Sequence, residues 1–301
     1  MKLVHNIFMN IWNDLTWIEP LRSPFLTTFF EAITLMGYPV FLILFISFGY
    51  FYWSPSRFTR IAMMLFISGI INSFLKDYFQ DSRPAIEFML DPKVGTSYGL
   101  PSGHAQIAVT LWGLLAYELK NKWVSLGAIV LILLICFSRL YLGVHDIEDI
   151  TLGLLVGSLI LAIWHFVISC NLFQKLSRLN ILISILIFQF VAYVFYPAHE
   201  GHAISVWFLG AMMGWYIGFS NVNLINNKLT NLFLSIVSIG VVFFTMVALT
   251  NLANNISYSI VNSLFIYTLG ILFSFIVTYL IPRIWIFLGL ASKGLKDHAD
   301  R

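Results

Sequence analysis

The chain has 301 residues, of which 59% are hydrophobic and only 10% charged, with a net charge of +3. A soluble domain typically carries about 25% charged residues, so this composition cannot cover a water-facing surface and much of the solvent must be a bilayer. The small net charge and the absence of a basic run exclude a nucleic-acid partner. Cys136 and Cys170 fall in or at the end of apolar stretches without CxxC spacing, which argues against a disulfide framework or a zinc site.

Residues 1–20 contain Asp14 and Glu19 and lack a basic start followed by an apolar block, so they do not resemble a cleaved signal peptide. Beyond them, hydropathy predicts an all-α, polytopic transmembrane helical bundle of about nine spans. These lie at 25–53, 60–79, 103–118, 122–141, 149–169, 178–196, 203–220, 230–250 and 261–289. The first is too long for one crossing and is interrupted by Gly37-Tyr38-Pro39. It reads as an interfacial or re-entrant helix over 23–35 followed by a crossing over 38–53. With nine crossings, Arg57, Arg60, Lys120, Lys122, Lys175, Arg178, Lys228, Arg283, Lys293 and Lys296 share one side, against Arg83 and Lys93 on the other. The positive-inside rule then places the N-terminus outside the cytoplasm and the C-terminus inside. No linker or repeat divides the chain, so 1–301 reads as a single membrane domain, with a core at 60–170 and additional spans at 178–289.

Ionisable residues near lipid are costly and mark functional sites, and three segments concentrate them at span ends on the non-cytoplasmic side. In the first, Lys76 and Arg83 are seven residues apart, two turns of a helix, so both cations would share a face until Pro84 ends the helix at about Arg83. Taken alone, the pair also fits cations snorkelling from a span end. The second is Pro101-Ser102-Gly103-His104 before an apolar run. Ser102 is a good N-cap, Gly103 lets a ligand approach the backbone, and the amides of the first turn attract an anion beside His104. An ordinary capped helix start fits these four residues equally well. The third runs from Ser138-Arg139 to His145 and Asp149. His145 and Asp149 are four apart and would be helical neighbours, the carboxylate fixing the imidazole tautomer and leaving the other nitrogen as nucleophile or base. A plain capping pair is the alternative, and Asp146 and Glu148 read as solvated neighbours.

Together these segments supply three cations and oriented amides for a phosphate, and two histidines for nucleophile and acid. Neither a Walker loop nor a carboxylate cluster for Mg²⁺ is present, so the chemistry is expected to need no metal and no cofactor. His199, Glu200 and His202 read as solvated loop residues rather than ligands, and His165 as a structural histidine.

The three segments resemble the signature of the type 2 phosphatidic acid phosphatase superfamily: K-x6-R-P, P-S-G-H and S-R-x5-H-x3-D, complete and in order. The resemblance covers about 60–170. It implies a metal-independent membrane phosphatase acting on a phosphate monoester or diphosphate, with a phosphorylated membrane lipid as the favoured substrate. It also implies the roles. His145 forms a phosphohistidine, Asp149 orients it and His104 protonates the leaving oxygen, while Lys76, Arg83, Ser102, Gly103 and Arg139 bind phosphate. The nine-span count resembles glucose-6-phosphatase and makes a sugar phosphate the runner-up. A lipid phosphotransferase and a non-catalytic phosphate-lipid transporter are further alternatives. Compact loops suggest a bacterial inner membrane with the site facing the periplasm. The sequence does not state an oligomeric order.

Overall fold

The computed structural model describes residues 12–95, 97–170, 176–197, 202–219, 222–224, 228–254 and 260–293. These are helical apart from one short antiparallel pair of strands, β1 (Val222–Leu224) with β2 (Ala291–Lys293). The chain divides into two compact units, one formed from within 1–41, 71–164 and 197–201, the other from 42–70, 165–196 and 202–301.

The helices of the first half are α1 (Pro24–Thr34), α2 (Pro39–Phe48), α3 (Pro55–Phe79), α4 (Gly103–Ala108), α5 (Lys122–Tyr141) and α6 (Ile147–Ser169). A proline sits first in α1, where no amide need be donated, and Ser23 before it accepts from the Leu26 amide. The path bends by 59° between Pro24–Gly37 and Pro39–Trp53, at the Gly37-Tyr38-Pro39 break. Helix α4 continues through a π-turn at Val109–Gly113 into Leu114–Leu119, which ends with Lys120 in a left-handed conformation. Helix α5 starts on the Asn121 cap.

The second half holds α7 (Arg178–Val194), α8 (His202–Gly218), α9 (Lys228–Asn254) and α10 (Ile260–Phe275), the last continuing through a π-turn at Ile276–Leu280 into Ile281–Phe287. Within the second unit, α8 and α10 pack backbone to backbone. A Cβ on Gly210 would meet the Tyr267 carbonyl oxygen at 2.0 Å, and one on Gly214 the Ile271 oxygen at 2.3 Å. Small residues spaced by four let apolar helices approach this closely in lipid. Gln189 of α7 is buried but satisfied, donating to the Leu209 carbonyl and accepting from the Tyr267 hydroxyl. His202 packs against the rings of Tyr193 and Tyr196. His199 and Glu200 lie outside the described residues.

The expected nine-span topology is not what the chain forms. Among the described residues, five helices are long and apolar enough to cross a membrane: Pro55–Phe79, Lys122–Tyr141, Ile147–Ser169, Lys228–Leu252 and Asn262–Phe287. Counting the bent pair as one span makes six. The reason is length. Helices α7 and α8 have 17 residues each, about 25 Å at 1.5 Å per residue, against a hydrocarbon core of about 30 Å. The 103–118 candidate, continuous through its π-turn, is likewise short, running only from Gly103 to Leu119. The crossing helices do present lipid-type surfaces: Leu126, Ile129, Val130 and Leu133 form an exposed ridge on α5, as do Leu155, Leu159, Ile163 and Phe166 on α6. The protein is an integral membrane protein.

In the first unit, Ala105, Cys136 and Ile150 join α4, α5 and α6. A second core gathers Leu15, Ile18, Phe30, Tyr141, Leu142 and Val144, with Phe88, Met89 and Leu90 of the α3–α4 loop packed on it. That loop is also tied by hydrogen bonds. The Leu90 amide donates to the Leu142 carbonyl, and Arg22 donates to the carbonyls of Phe88 and Tyr141. These contacts press the loop onto the end of α5, where the ionisable residues gather.

Candidate active site

All eight sequence-predicted site residues lie in the first unit, carried by the end of α3, the α3–α4 loop, the start of α4, the end of α5 and the start of α6. Helix α3 stops earlier than expected, at Phe79, because Gln80 takes a positive φ of 52°. Arg83 is therefore a loop residue and does not share a helical face with Lys76.

His145 is 2% exposed and lies in the short connection between α5 and α6. Its Nδ1 is 2.7 Å from Asp149 Oδ2, and its Nε2 is 3.2 Å from Arg83 Nη1. Arginine has donors only. Nε2 is therefore the acceptor, with its lone pair in the ring plane, and Nδ1 carries the proton donated to Asp149. Burial, then the charges of Lys76, Arg83 and Arg139, push the His145 pKa well below 6.5, so the ring is neutral at pH 7. Asp146, expected to be solvated, is instead 7% exposed and caps α6, its carboxylate accepting from the Asp149 amide at 2.9 Å. The cap holds Asp149 in the first turn, where it reaches back to His145. Glu148 is exposed, as expected.

The connection is short because Gly143 turns it. Its φ is +67°, and a Cβ there would lie 1.9 Å from the Phe88 carbonyl oxygen. Only glycine combines this left-handed backbone with so close an approach.

Lys76 donates to the carbonyls of Tyr98 and Gly99. Arg83 donates through Nε and Nη2 to the Ser97 carbonyl and hydroxyl, and through Nη1 to the Val144 carbonyl at 2.7 Å. Burial lowers its pKa to about 10, which still leaves it cationic at pH 7. The two cations thus stitch together the loop that leads into α4.

Ser102 is fully buried. Its hydroxyl accepts from the Ala105 amide, the expected cap, and its own amide donates to the Asp149 carbonyl at 2.9 Å. Asn72 supports the turn, donating to the Pro101 carbonyl and to Gln106 Oε1. The Gly103 approach is also tight, a Cβ there meeting Asn72 Oδ1 at 3.0 Å. His104 lies edge-on to Tyr38, with ring centroids 4.7 Å apart, and hydrogen-bonds the Thr34 backbone. Arg139 is fully buried. Its Nη1 donates to Thr34 Oγ1 and, at 3.0 Å, to Asp91 Oδ2.

Several of these contacts escaped the sequence reading: Thr34, Tyr38, Asn72, Asp91 and Gln106. A charged Asp91 in a short loop beside an otherwise cationic site was the one visible signal. Burial pushes its pKa up, but the Tyr38 hydroxyl and Arg139 outweigh burial and hold it below the usual carboxylate value.

Among the described residues, Arg139 Nε and Nη2, His104 Nε2 and Asp149 Oδ1 are buried without a hydrogen-bond partner. Unpaired buried donors cost roughly 1–3 kcal/mol each, more when charged. The two Arg139 donors left so, Nε and Nη2, fit an anion with several acceptor oxygens, which a phosphate supplies. No group of three or more His, Cys, Asp or Glu side chains among the described residues could hold a metal ion.

Residues 57–172 match the family described as the PAP2 superfamily. They include all eight site residues, and over this segment the chain is similar to that superfamily, the type 2 phosphatidic acid phosphatases. Sphingosine-1-phosphate phosphatase 2 of Mus musculus is 27% identical over 151 residues, 48% of this chain and 43% of that protein. Phosphatidylglycerophosphatase B of Bacillus subtilis (strain 168) is 28% identical over 153 residues, 46% of this chain and 74% of that protein. A crystal structure of a transmembrane PAP2 type phosphatidylglycerolphosphate phosphatase from Bacillus subtilis is similar with a TM-score of 0.46 at 26% identity, over 56% of this chain and 89% of that one. The match thus spans less than half the length of the mouse relative.

Proposed function

We propose that the protein is a metal-independent membrane phosphatase that hydrolyses a phosphorylated lipid through a phosphohistidine on His145. The observation that carries this reading is the buried His145, held by Asp149 on one nitrogen with its other lone pair turned to Arg83.

In the first step, Nε2 of His145 attacks phosphorus once Arg83 turns from the ring to a phosphate oxygen. The phosphorus–oxygen bond to the leaving group breaks, and His104 gives that oxygen a proton. Asp149 stabilises the imidazolium that forms. Lys76, Arg83, Arg139, Ser102 and the Gly103 amide balance charge on the phosphoryl oxygens. In the second step, water attacks the phosphohistidine, His104 takes its proton, the phosphorus–nitrogen bond breaks and inorganic phosphate leaves.

A lipid substrate is favoured because the site stands at the ends of apolar helices that present exposed aliphatic ridges. The two relatives are named for sphingosine 1-phosphate and phosphatidylglycerophosphate, which are lipids as well. The sugar-phosphate alternative drew on a nine-span count that the chain does not have. The ends of α3, α4 and α5 remote from the site carry Arg57, Arg60, Lys120 and Lys122. Under the positive-inside rule these face the cytoplasm, and the site faces the opposite side of the membrane, the periplasm in a bacterial inner membrane. We assign catalysis to the 60–170 core and treat 178–289 as additional membrane helices of the same domain.

The test is phosphate release by detergent-purified protein, in EDTA, from phosphatidic acid, phosphatidylglycerophosphate, an isoprenyl diphosphate, sphingosine 1-phosphate and glucose 6-phosphate. Release from a lipid that is absent in His145→Ala supports the proposal. Release from glucose 6-phosphate alone, or only on addition of a divalent metal, contradicts it.

A further inference from the structure

Arg139 is held by a network that the three signature segments do not contain. Its Nη1 donates to Thr34 Oγ1 and to Asp91 Oδ2 at 3.0 Å. The same Asp91 oxygen accepts the Tyr38 hydroxyl, and Asp91 Oδ1 accepts the Lys93 amide at 3.2 Å. Thr34 and Tyr38 precede the family-matched residues 57–172, and Asp91 lies in the loop between the first two signature segments. Arg139, Thr34 and Asp91 are each no more than 5% exposed.

A guanidinium offers five N–H donors in a fixed planar fork. Thr34 and Asp91 take up the Nη1 corner. The buried donors without partners are Nε and Nη2, which form the opposite edge, the one that grips two oxygens of a phosphate side by side. A buried ion pair of this kind adds little net stability, since desolvation offsets its attraction. What it fixes is direction. Without Asp91, the long arginine side chain is free to rotate its fork away from the phosphate, and its charge loses its buried counter-ion.

We propose that Asp91, itself held by Tyr38, is a positioning residue that turns the Nε/Nη2 edge of Arg139 toward the substrate phosphate. Asp91 acts through Arg139 and does not touch the phosphate. This rests on the phosphatase reading above.

The experiment compares wild type with Asp91→Ala, Asp91→Asn, Tyr38→Phe, Arg139→Ala and the Asp91→Ala/Arg139→Ala double variant, on a short-chain phosphatidic acid in detergent. Each is measured for kcat/KM and for the inhibition constant of inorganic phosphate. A hydrogen bond to a charged group is worth roughly 1.5–3 kcal/mol, so Asp91→Ala should lower kcat/KM on the order of 10- to 100-fold. It should weaken inhibition by phosphate by at least about tenfold. Asp91→Asn should lie between it and wild type, and Tyr38→Phe should cost about 2- to 10-fold. In the Arg139→Ala background, Asp91→Ala should add nothing, because the group it directs is gone. Asp91→Ala and Tyr38→Phe both within twofold of wild type would overturn the proposal, as would a full additional loss in the double variant. If Asp91→Ala does not fold, Tyr38→Phe and Asp91→Asn carry the same comparison. Should wild type release phosphate from no substrate, the phosphatase reading fails instead. Calorimetric binding of inorganic phosphate to wild type and Asp91→Asn then decides the positioning role, and equal affinities overturn it.

Discussion

Gly37→Ala isolates one catalytic assignment. Gly37 has no positive φ, so alanine suits its backbone, and the obstacle is steric. The added methyl would stand 2.2 Å from Cδ2 of His104, where ordinary contact begins at 3.4 Å. Since Gly37 belongs to the bend between two helices, the ring is the softer partner and must shift by about 1 Å. A displacement of that size at a reacting group costs on the order of 100-fold in rate, equivalent to about 2.7 kcal/mol of transition-state stabilisation. The account therefore expects kcat to fall about 100-fold with KM little changed and the thermal midpoint close to wild type. In a His104→Ala background the same methyl meets no ring and should add no further loss. Steady-state phosphate release with thermal unfolding in detergent reads all of these. Wild-type kcat in Gly37→Ala would refute either the packing of His104 on Gly37 or its role as the acid.

Gly143→Ala should act on stability. The left-handed backbone and the 1.9 Å approach to the Phe88 oxygen should cost more than about 2 kcal/mol, read as a lowered unfolding midpoint; an unchanged midpoint would contradict the turn. The His145 ring should stay neutral at pH 6 in ¹⁵N-histidine spectra, because its folded pKa lies well below 6.5. A depressed histidine contributes stability that is full above about 6.5 and is lost as pH falls through the folded value. Arg83→Gln removes one of the depressing charges and should raise that pKa, and titration near 6.5 in wild type would contradict the buried cationic setting.

The candidate site was more legible in the sequence than the architecture. Lys76, Arg83, Ser102, Gly103, His104, Arg139, His145 and Asp149 could be named because each sits in a short motif whose spacing carries meaning. Asp91 and Thr34 could not, because they meet Arg139 across 48 and 105 residues, and no local pattern records such a contact. Hydropathy counted apolar residues and so counted spans, but it did not see that α7 and α8 stop at 17 residues or that the α4 path ends at Leu119. The stop expected at Pro84 ran α3 on to about Arg83, since nothing in Gln80 announces a positive φ. Asp146 looked like a surface charge in sequence. Its place just before the first turn of α6 makes it a cap, and caps are read only once a helix start is fixed.

The most direct test of the central claim is a rapid alkaline quench of the purified protein during turnover of phosphatidic acid, followed by peptide mass spectrometry. The account predicts a phosphoryl group on the peptide that contains His145, absent in His145→Ala, which should also release no phosphate while remaining folded. Full phosphate release by His145→Ala, or steady turnover with the phosphoryl group on another residue, would contradict it.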